Sequence, residues 1–229
     1  MAAVSAEAWF FAASVPLAYL AGIRLVSHPR LRKVPPLIPA LALLILLLVG
    51  LQIPHERFMA GGQVIDVWLA PATVALGLAL YRQRQTLIRN LKAVLLASFA
   101  GTLTALVSTF LLVRLTGLDW PLTAALLTKS VTTPVALALA PGLGASAPLA
   151  VAMVIIAGNL GGAFGLQLLS LGRVKTPLAR GLAMGTAAHA LGTATVMQEG
   201  ETAGALGSVA LILAALFTAL LLPPLMQIF

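Results

Sequence analysis

Two short polar, helix-breaking segments interrupt a chain that is otherwise almost continuously apolar. The first reads Lys-Ser-Val-Thr-Thr-Pro at residues 129–134, and the second, rich in Gly and Thr, covers residues 185–201 around His189. Polar and ionisable groups are costly in a bilayer, and they are rare there unless they have a function. Proline and glycine beside them free backbone groups that can bind a solute. The pattern therefore favours a protein that passes a solute across a membrane over a passive anchor.

The composition places the chain in a membrane. Of its 229 residues, 60% are hydrophobic and 9% are charged, whereas a soluble domain has about 25% charged residues. A transmembrane helix needs about 20 apolar residues. Charge-free runs of that size cover residues 34–55, 93–113, 130–172 and 202–229. We therefore predict an all-α, polytopic transmembrane bundle with interrupted helices, forming one domain over residues 1–229, in which the first apolar stretch is retained as a helix.

The basic residues account for the net charge of +8 and orient the chain. Eleven of the fourteen lie in three clusters, at residues 24–33, 82–92 and 173–180. Short basic loops mark the cytoplasmic face of a membrane protein, so this charge does not indicate nucleic-acid binding. The chain has no cysteine, which excludes disulfides and thiolate chemistry.

Placing all three basic clusters inside predicts an inner (cytoplasmic) membrane protein with its N-terminus outside and its C-terminus inside. A simple crossing by residues 120–141 would put the third cluster outside. We therefore expect residues 120–141 to form a re-entrant hairpin, broken at Thr132-Thr133-Pro134. The alternative is that residues 120–141 cross and residues 181–198 are the re-entrant element. The first arrangement has about seven spans, at residues 8–23, 35–53, 66–81, 93–113, 148–171, 181–198 and 203–227.

Short internal matches suggest a repeat. Residues 72–74 and 194–196 both read Ala-Thr-Val, and residues 74–80 echo residues 135–140. Transporters are often built from repeats that each contain an interrupted helix. In a chain so rich in Ala and Leu such matches also arise by chance, so the sequence leaves the repeat open.

Lys129 is the first candidate binding residue. It is the only charged residue between residues 120 and 172, so it either reaches a membrane interface or faces a polar cavity.

Hydroxyl groups follow this lysine at once, from Ser130, Thr132 and Thr133. Pro134 has no N–H and frees backbone carbonyls. Hydroxyls, helix-end N–H groups and an ammonium together suit a carboxylate. A structural explanation is also open, in which Thr133 caps a helix whose first residue is Pro134. Such a cap is compatible with anion binding.

His189 is the second candidate. It lies between Gly185 and Gly192, a setting typical of close helix packing. Packing explains the glycines better than it explains the histidine, which can take up a proton near neutral pH or donate to a substrate oxygen. We expect His189, Thr193 and Thr195 to complete the site from the side opposite Lys129.

Three charged residues flank the histidine segment. Glu199 and Glu201 are candidates for a proton- or cation-coupling site, or for a gate that pairs with Arg180. They could equally belong to a solvated loop, and Arg180 could serve only to orient the chain.

A third break surrounds Pro71. If it interrupts a helix, Thr73 and the carbonyls before the proline become ligands; otherwise Pro71 only begins a helix.

Enzyme motifs are absent from the sequence. It contains no phosphate-binding loop, no His and carboxylate cluster at metal-ligand spacing and no nucleophile triad. We therefore predict neither enzyme activity nor a metal or cofactor.

At these segments the chain resembles the LrgB/CidB family. The Lys-Ser-Val-Thr-Thr-Pro and Ala-His-x-Leu-Gly-Thr-Ala stretches are the specific ones, and the resemblance covers the chain from about residue 10. Two departures are Ala188, where the family often has Ser, and the acidic run Gln-Glu-Gly-Glu. The matching stretches are residues 69–76, 80–83, 129–135, 177–186, 189–194 and 199–201.

The resemblance implies two functional accounts. One is an antiholin-like modulator of murein hydrolase export and cell lysis. The other is transport of small monocarboxylates, because bacterial relatives are linked to pyruvate and plastid relatives exchange glycolate and glycerate. In the plastid proteins LrgA-like and LrgB-like parts are fused, whereas this chain matches the LrgB-like part. The resemblance therefore implies a separate small LrgA-like membrane partner.

The candidate residues favour transport, because a holin-like lesion has no specific need of them. We expect alternating access around the two interrupted elements, with a small 2-oxo or 2-hydroxy acid as substrate and a proton carried by His189 or Glu199. A homo-oligomer is left open. The carboxylate would be bound by Lys129, Ser130, Thr132 and Thr133.

Overall fold

The computed structural model describes residues 5–28, 34–68, 71, 78, 81–82 and 84–226. Within these ranges all regular structure is helical, which confirms the predicted all-α class. The chain divides into two compact units, Met1–Leu78 and Ala79–Phe229. Their organisation as one domain stays a prediction.

Ten α-helices lie in the described residues, three in the first unit and seven in the second. The first unit contains α1 (Ala6–Val26), α2 (Leu37–Gly50) and α3 (His55–Asp66). The second contains α4 (Arg84–Arg89), α5 (Leu91–Thr116), α6 (Trp120–Leu127), α7 (Thr133–Leu139), α8 (Ala147–Leu171), α9 (Pro177–Met197) and α10 (Glu201–Met226), with a 3-10 turn at Pro141–Leu143.

In the first unit α1 packs against both α2 and α3. Small residues allow the close approach, because a side chain at Gly22 would overlap the carbonyl of Pro36 and one at Gly61 would overlap Phe11. The predicted break at Pro71 and the predicted span at residues 66–81 lie largely outside the described residues.

Three long helices frame the second unit: α5, α8 and α10, of 26, 25 and 26 residues. At a rise of 1.5 Å per residue each is about 38 Å long, enough to cross a hydrocarbon layer about 30 Å thick. With α1 they make four candidate membrane spans among the described residues, where the sequence suggested about seven spans. The chain is thus a multi-pass helical membrane protein.

Residues 120–143 form a helical hairpin, called here the first hairpin. Its two legs, α6 and α7, have eight and seven residues, too short to cross a bilayer. They are separated by the non-helical residues 128–132, the first tip. The indole Nε1 of Trp120 donates to the carbonyl of Leu143 at 2.9 Å, so the two ends of the segment meet. The predicted break and return of this segment are confirmed.

Residues 177–199 form a second hairpin, although α9 has the length of a membrane span. Ala188 and His189, the second tip, have non-helical backbone angles. Arg180 and Glu199 form an ion pair of 2.6 Å, whereas 19 residues of straight helix would separate them by about 28 Å. The prediction that residues 181–198 cross in one span is therefore wrong, because this segment doubles back as well.

The two hairpins reach α8 from its opposite ends. The first precedes Ala147, the first residue of α8, and packs with Ala150. The second follows Leu171, where α8 ends, and its Met184 lies against Gly165. Each tip therefore points toward the middle of α8.

Two of the three basic clusters lie at one end of the second unit. Val94, near the start of α5, packs with Leu182 of the second hairpin. The clusters at residues 82–92 and 173–180 consequently share an end, as the sequence analysis expected.

The C-terminal end of α10 lies at the other end of this unit. Leu222 packs there with Leu127 and Leu143 of the first hairpin. The doubling back of the second hairpin thus places the end of α10 opposite the basic clusters of this unit, where the sequence analysis expected it on their side. The orientation of the termini in the membrane stays a prediction.

A repetition is present in the second unit, in a form that the sequence matches did not indicate. The order of long helix, hairpin and long helix occurs twice, with α8 shared. Of the matched stretches, residues 72–74 lie outside the described residues, and residues 194–196 belong to the second leg of the second hairpin.

Candidate solute-binding site at the hairpin tips

Lys129 lies in the first tip, just after α6 ends. Its side chain is half-buried, and its Nζ donates to Thr109 Oγ1 of α5 at 2.7 Å. Ser130 Oγ is 3.5 Å from the same nitrogen, at the limit of a hydrogen bond. The ammonium therefore contacts two hydroxyl groups of the second unit.

No carboxylate forms an ion pair with Lys129 in the described part of the chain. A charged side chain inside a membrane costs about 2.5–3.5 kcal/mol even by the lower scales. An ammonium in this position is stabilised by any anion that reaches it. The first tip thus has the electrostatics of an anion site.

The N-cap of α7 is Thr132, not Thr133 as the sequence suggested. Thr132 has extended backbone angles, φ −76° and ψ 155°, and its carbonyl accepts from the N–H of Ala136. Pro134 is then the second helical residue, where its missing N–H has no cost. The hydroxyl of Thr132 makes no capping hydrogen bond, and both threonines are half-buried. Because α7 has only seven residues, Lys129 is the main source of positive charge here.

His189 is buried, with 4% of its surface exposed. Its ring Nε2 lies 3.0 Å from the carbonyl of Val154 in α8, so Nε2 carries a hydrogen and donates it. Gly158 lies against the ring, where any side chain would overlap the imidazole. In this conformation His189 joins the second tip to α8 and is not open to a solute.

The backbone of His189 explains why the helix reverses here. Its φ is 41° and its ψ is −131°, a conformation outside the helical region that costs about 1–3 kcal/mol in a residue with a side chain. The hydrogen bond to Val154 and the burial of the ring hold the residue in place. The second tip is thus made by a strained histidine, without a proline.

Thr193 and Thr195 do not face the first tip in the described contacts. Each hydroxyl donates to the carbonyl four residues earlier, at 2.9 Å in both cases. Thr193 lies against Gly207 of α10, and Thr195 lies against Gly162 of α8. They pack the second leg between two long helices, so the predicted grouping of both with His189 around one solute is not seen here.

The two tips meet at Val154. Its side chain belongs to a buried cluster that includes Val131 of the first tip, and its carbonyl binds His189 of the second. Val154 is seven residues, about 10 Å, from the start of α8. Lys129 and His189 therefore belong to neighbouring tips that are linked through α8.

Arg180 and Glu199 close the base of the second hairpin, as a bidentate ion pair with both N–O distances at 2.6 Å. Arg180 also donates to the carbonyls of Val174 and Leu166, and to the hydroxyl of Ser170. Its side chain is only 11% exposed. The residue joins both legs to the end of α8. The predicted partner of Arg180 is thus found, whereas its role as a gate stays a prediction.

The remaining candidates lie apart from this arrangement. Glu201 is an exposed first residue of α10, where its charge suits a helix N-terminus. Thr73 lies outside the described residues. No cluster of three or more His, Cys, Asp or Glu side chains that could hold a metal occurs in the described ranges.

Sequence reasoning missed three parts of the site: Thr109, the carbonyl of Val154 and a glycine-lined face of α8. The last had a signal, because Gly158, Gly161, Gly162 and Gly165 repeat at helical spacing. No sequence signal pointed to Thr109, because it lies 20 residues from Lys129 along the chain.

Membrane-length helices, with two interrupted hairpins between them, place the chain in the class of multi-pass helical membrane proteins. The chain belongs to the LrgB-like family, whose model matches residues 16–228. The resemblance suggested by the sequence motifs is thereby confirmed.

Individual relatives support the same assignment. The uncharacterized protein YxaC of Bacillus subtilis is 34% identical over 198 residues, 86% of each chain. The antiholin-like protein LrgB of Bacillus subtilis is 31% identical over 174 residues, 76% of this chain and 75% of the relative. The antiholin-like protein LrgB of Bacillus cereus is 31% identical over 208 residues, 90% of each chain. No solved structure matches the chain.

Proposed function

We propose that this protein is a membrane transporter, not an enzyme, for small monocarboxylates of the 2-oxo or 2-hydroxy type, such as pyruvate, glycolate or glycerate. One observation carries the proposal: the ammonium of Lys129 is half-buried at a hairpin tip and has no carboxylate partner among the described residues. A carboxylate substrate supplies the missing charge.

The surroundings of Lys129 suit the rest of such a substrate. The hydroxyls of Ser130, Thr132 and Thr133 are half-buried and lie beside the ammonium in the chain. They can bind the oxygen on the second carbon of the acid. The ammonium binds an anion more strongly than a neutral acceptor and repels a cation, so the site favours an anion.

Movement of the second hairpin would provide alternating access. The ring of His189 is hydrogen-bonded to the carbonyl of Val154, and Glu199 forms an ion pair with Arg180. The buried His189 can exchange a proton with a solute only when its contact opens, and Glu199 can take up a proton readily only when it separates from Arg180. Proton coupling, if present, is therefore tied to the opening of the hairpin, and the Arg180–Glu199 pair acts as the gate at its base.

The basic end of the second unit belongs at the cytoplasmic face of the cell membrane under the positive-inside rule. The first hairpin then enters from outside, the second enters from inside, and the C-terminus lies outside. An external N-terminus, an LrgA-like partner and a homo-oligomer belong to the proposal as well.

Uptake of labelled pyruvate into proteoliposomes tests the proposal. Lys129→Gln should lower uptake by about 10- to 100-fold, the factor for losing a charged hydrogen bond of about 1.5–3 kcal/mol. Lys175→Gln is the matched control, because Lys175 is an exposed lysine of a basic cluster, and its uptake should stay within about twofold.

Two outcomes count against different parts of the proposal. Unchanged uptake by Lys129→Gln would remove Lys129 from the site while leaving transport intact. No uptake by the unmodified protein, alone and together with an LrgA-like partner, would reject transport of these acids.

A second candidate is an antiholin-like modulator of murein hydrolase export and cell lysis. The names of the Bacillus subtilis and Bacillus cereus relatives favour it over transport. This candidate predicts release of a trapped dye from liposomes without selectivity among solutes. It also predicts that Lys129→Gln leaves the dye release unchanged.

A further inference from the structure

A groove of about 520 Å³ runs between α5 and the first leg of the second hairpin and ends at Ala187, just before the second tip. Alanines and glycine spaced by four residues line both walls, Ala93, Ala97 and Gly101 on one and Ala179, Ala183 and Ala187 on the other. Two threonines, Thr104 and Thr186, also line the groove, and a side chain at Gly101 would overlap the methyl group of Thr186.

The dimensions of the groove identify what fits in it. From Ala93 to Ala105 it is about 18 Å long, close to the hydrocarbon depth of about 15 Å in one leaflet. An acyl chain of one leaflet can therefore lie along the whole groove.

The groove is open along its side, because Ala93, Ala97 and Ala187 are exposed. It begins at the basic end of the unit. Lys92 directly precedes Ala93, and Arg89 is the last residue of α4, just before α5 begins. Both basic side chains are exposed, and neither forms an ion pair within the described residues.

We propose that this groove binds one acyl chain of an anionic phospholipid, whose phosphate lies between Arg89 and Lys92. The apolar walls take the chain, and the two cations take the headgroup at the membrane surface. The site is independent of the proposed transport function. It predicts a preference for anionic over zwitterionic lipids that carry the same acyl chains.

Native mass spectrometry of the detergent-solubilised full chain, titrated with dioleoyl phosphatidylglycerol or dioleoyl phosphatidylcholine, tests this site. One phosphatidylglycerol should be retained in preference to phosphatidylcholine. Arg89→Gln and Lys92→Gln should each weaken its retention by about fivefold, from about 1 kcal/mol per basic residue. Lys175→Gln, in the other basic cluster, should leave it unchanged.

Filling the groove tests the acyl-chain part. Ala97→Leu, or Ala93→Leu where the first variant folds poorly, should reduce retention of both lipids. Ala100→Leu is the control, because Ala100 is exposed on α5 but does not line the groove.

Three results would overturn the proposal. These are equal retention of the two lipids, retention that survives Ala97→Leu, and efficient disulfide-linked dimers of an Ala97→Cys variant in bilayers. The last would show that a helix of a second copy occupies the groove.

Discussion

At the scale of the residue, the hydrogen bonds of Thr109 explain how Lys129 is held. Thr109 Oγ1 donates to the carbonyl of Ala105 at 2.6 Å and accepts from the ammonium at 2.7 Å. An ammonium has three donors. One of these N–H donors binds Thr109, and the distance of 3.5 Å to Ser130 Oγ is long for a hydrogen bond. The lysine is thus positioned by a neutral partner, and most of its charge remains to be satisfied.

Removing this charge should stabilise the protein. In Lys129→Met the cost of an unpaired ammonium disappears, and Thr109 keeps its bond to Ala105, so no buried group loses its partner. We expect a gain of about 1–3 kcal/mol, or a rise in Tm of about 2–10 °C in detergent. Lys175→Met should leave Tm unchanged. A fall in Tm for Lys129→Met would mean that the ammonium has a strong partner already.

At the scale of the element, the glycine face of α8 holds the second hairpin. Ala188 lies on Gly161, His189 on Gly158 and Met184 on Gly165. Close approach of backbones through small residues is how helices associate in a membrane. The hairpin can therefore lie along α8 with its base fixed by Arg180 and its tip fixed by the imidazole.

A methyl group on this face should displace the hairpin. A Cβ at Gly161 would overlap the Cβ of Ala188, and we expect Gly161→Ala to cost about 1–3 kcal/mol of stability. Gly142→Ala is the control, because no atom lies within 4 Å of the position that its new methyl group would occupy. Thermal unfolding in detergent measures both. Equal Tm values for the two variants would contradict the close packing of the second tip against α8.

The two hairpins differ in how well the sequence predicts them. The first is signalled by Pro134, by a lone lysine and by the charge pattern, and its break and return are found. The second has no proline at its tip, and glycines at its spacing also suit a straight helix. Its reversal depends on the φ of His189 and on the pairing of Arg180 with Glu199, which are 19 residues apart. The sequence therefore offered a re-entrant second segment only as the alternative, and tertiary contacts decide for it.

At the scale of the whole molecule, the second unit is three long helices with hairpins inserted from opposite ends. This arrangement reverses α10 relative to the sequence prediction, because the segment before it returns to its starting side. It also provides two tips that reach the same residue, Val154, from the two faces. In the proposed transport cycle, small movements of either hairpin would open the site toward one side at a time.

Labelling with a membrane-impermeant thiol reagent tests this topology, and the chain offers a background free of cysteine. Lys175→Cys and Glu201→Cys flank the second hairpin and should react from the same face of sealed vesicles. Ser146→Cys, before α8, should react from the opposite face. All three positions are exposed. If Lys175→Cys and Glu201→Cys react from opposite faces, residues 181–198 cross the membrane once and the second hairpin is contradicted.

Substrate protection at the first tip tests the central claim most directly, that Lys129 binds a monocarboxylate. Ser130→Cys places the thiol beside the ammonium. We predict that pyruvate slows its reaction with a small thiol reagent several-fold, that the neutral pyruvamide does not, and that adding Lys129→Gln abolishes the protection. A reaction rate that saturating pyruvate leaves unchanged, or that pyruvamide slows equally, would contradict the claim.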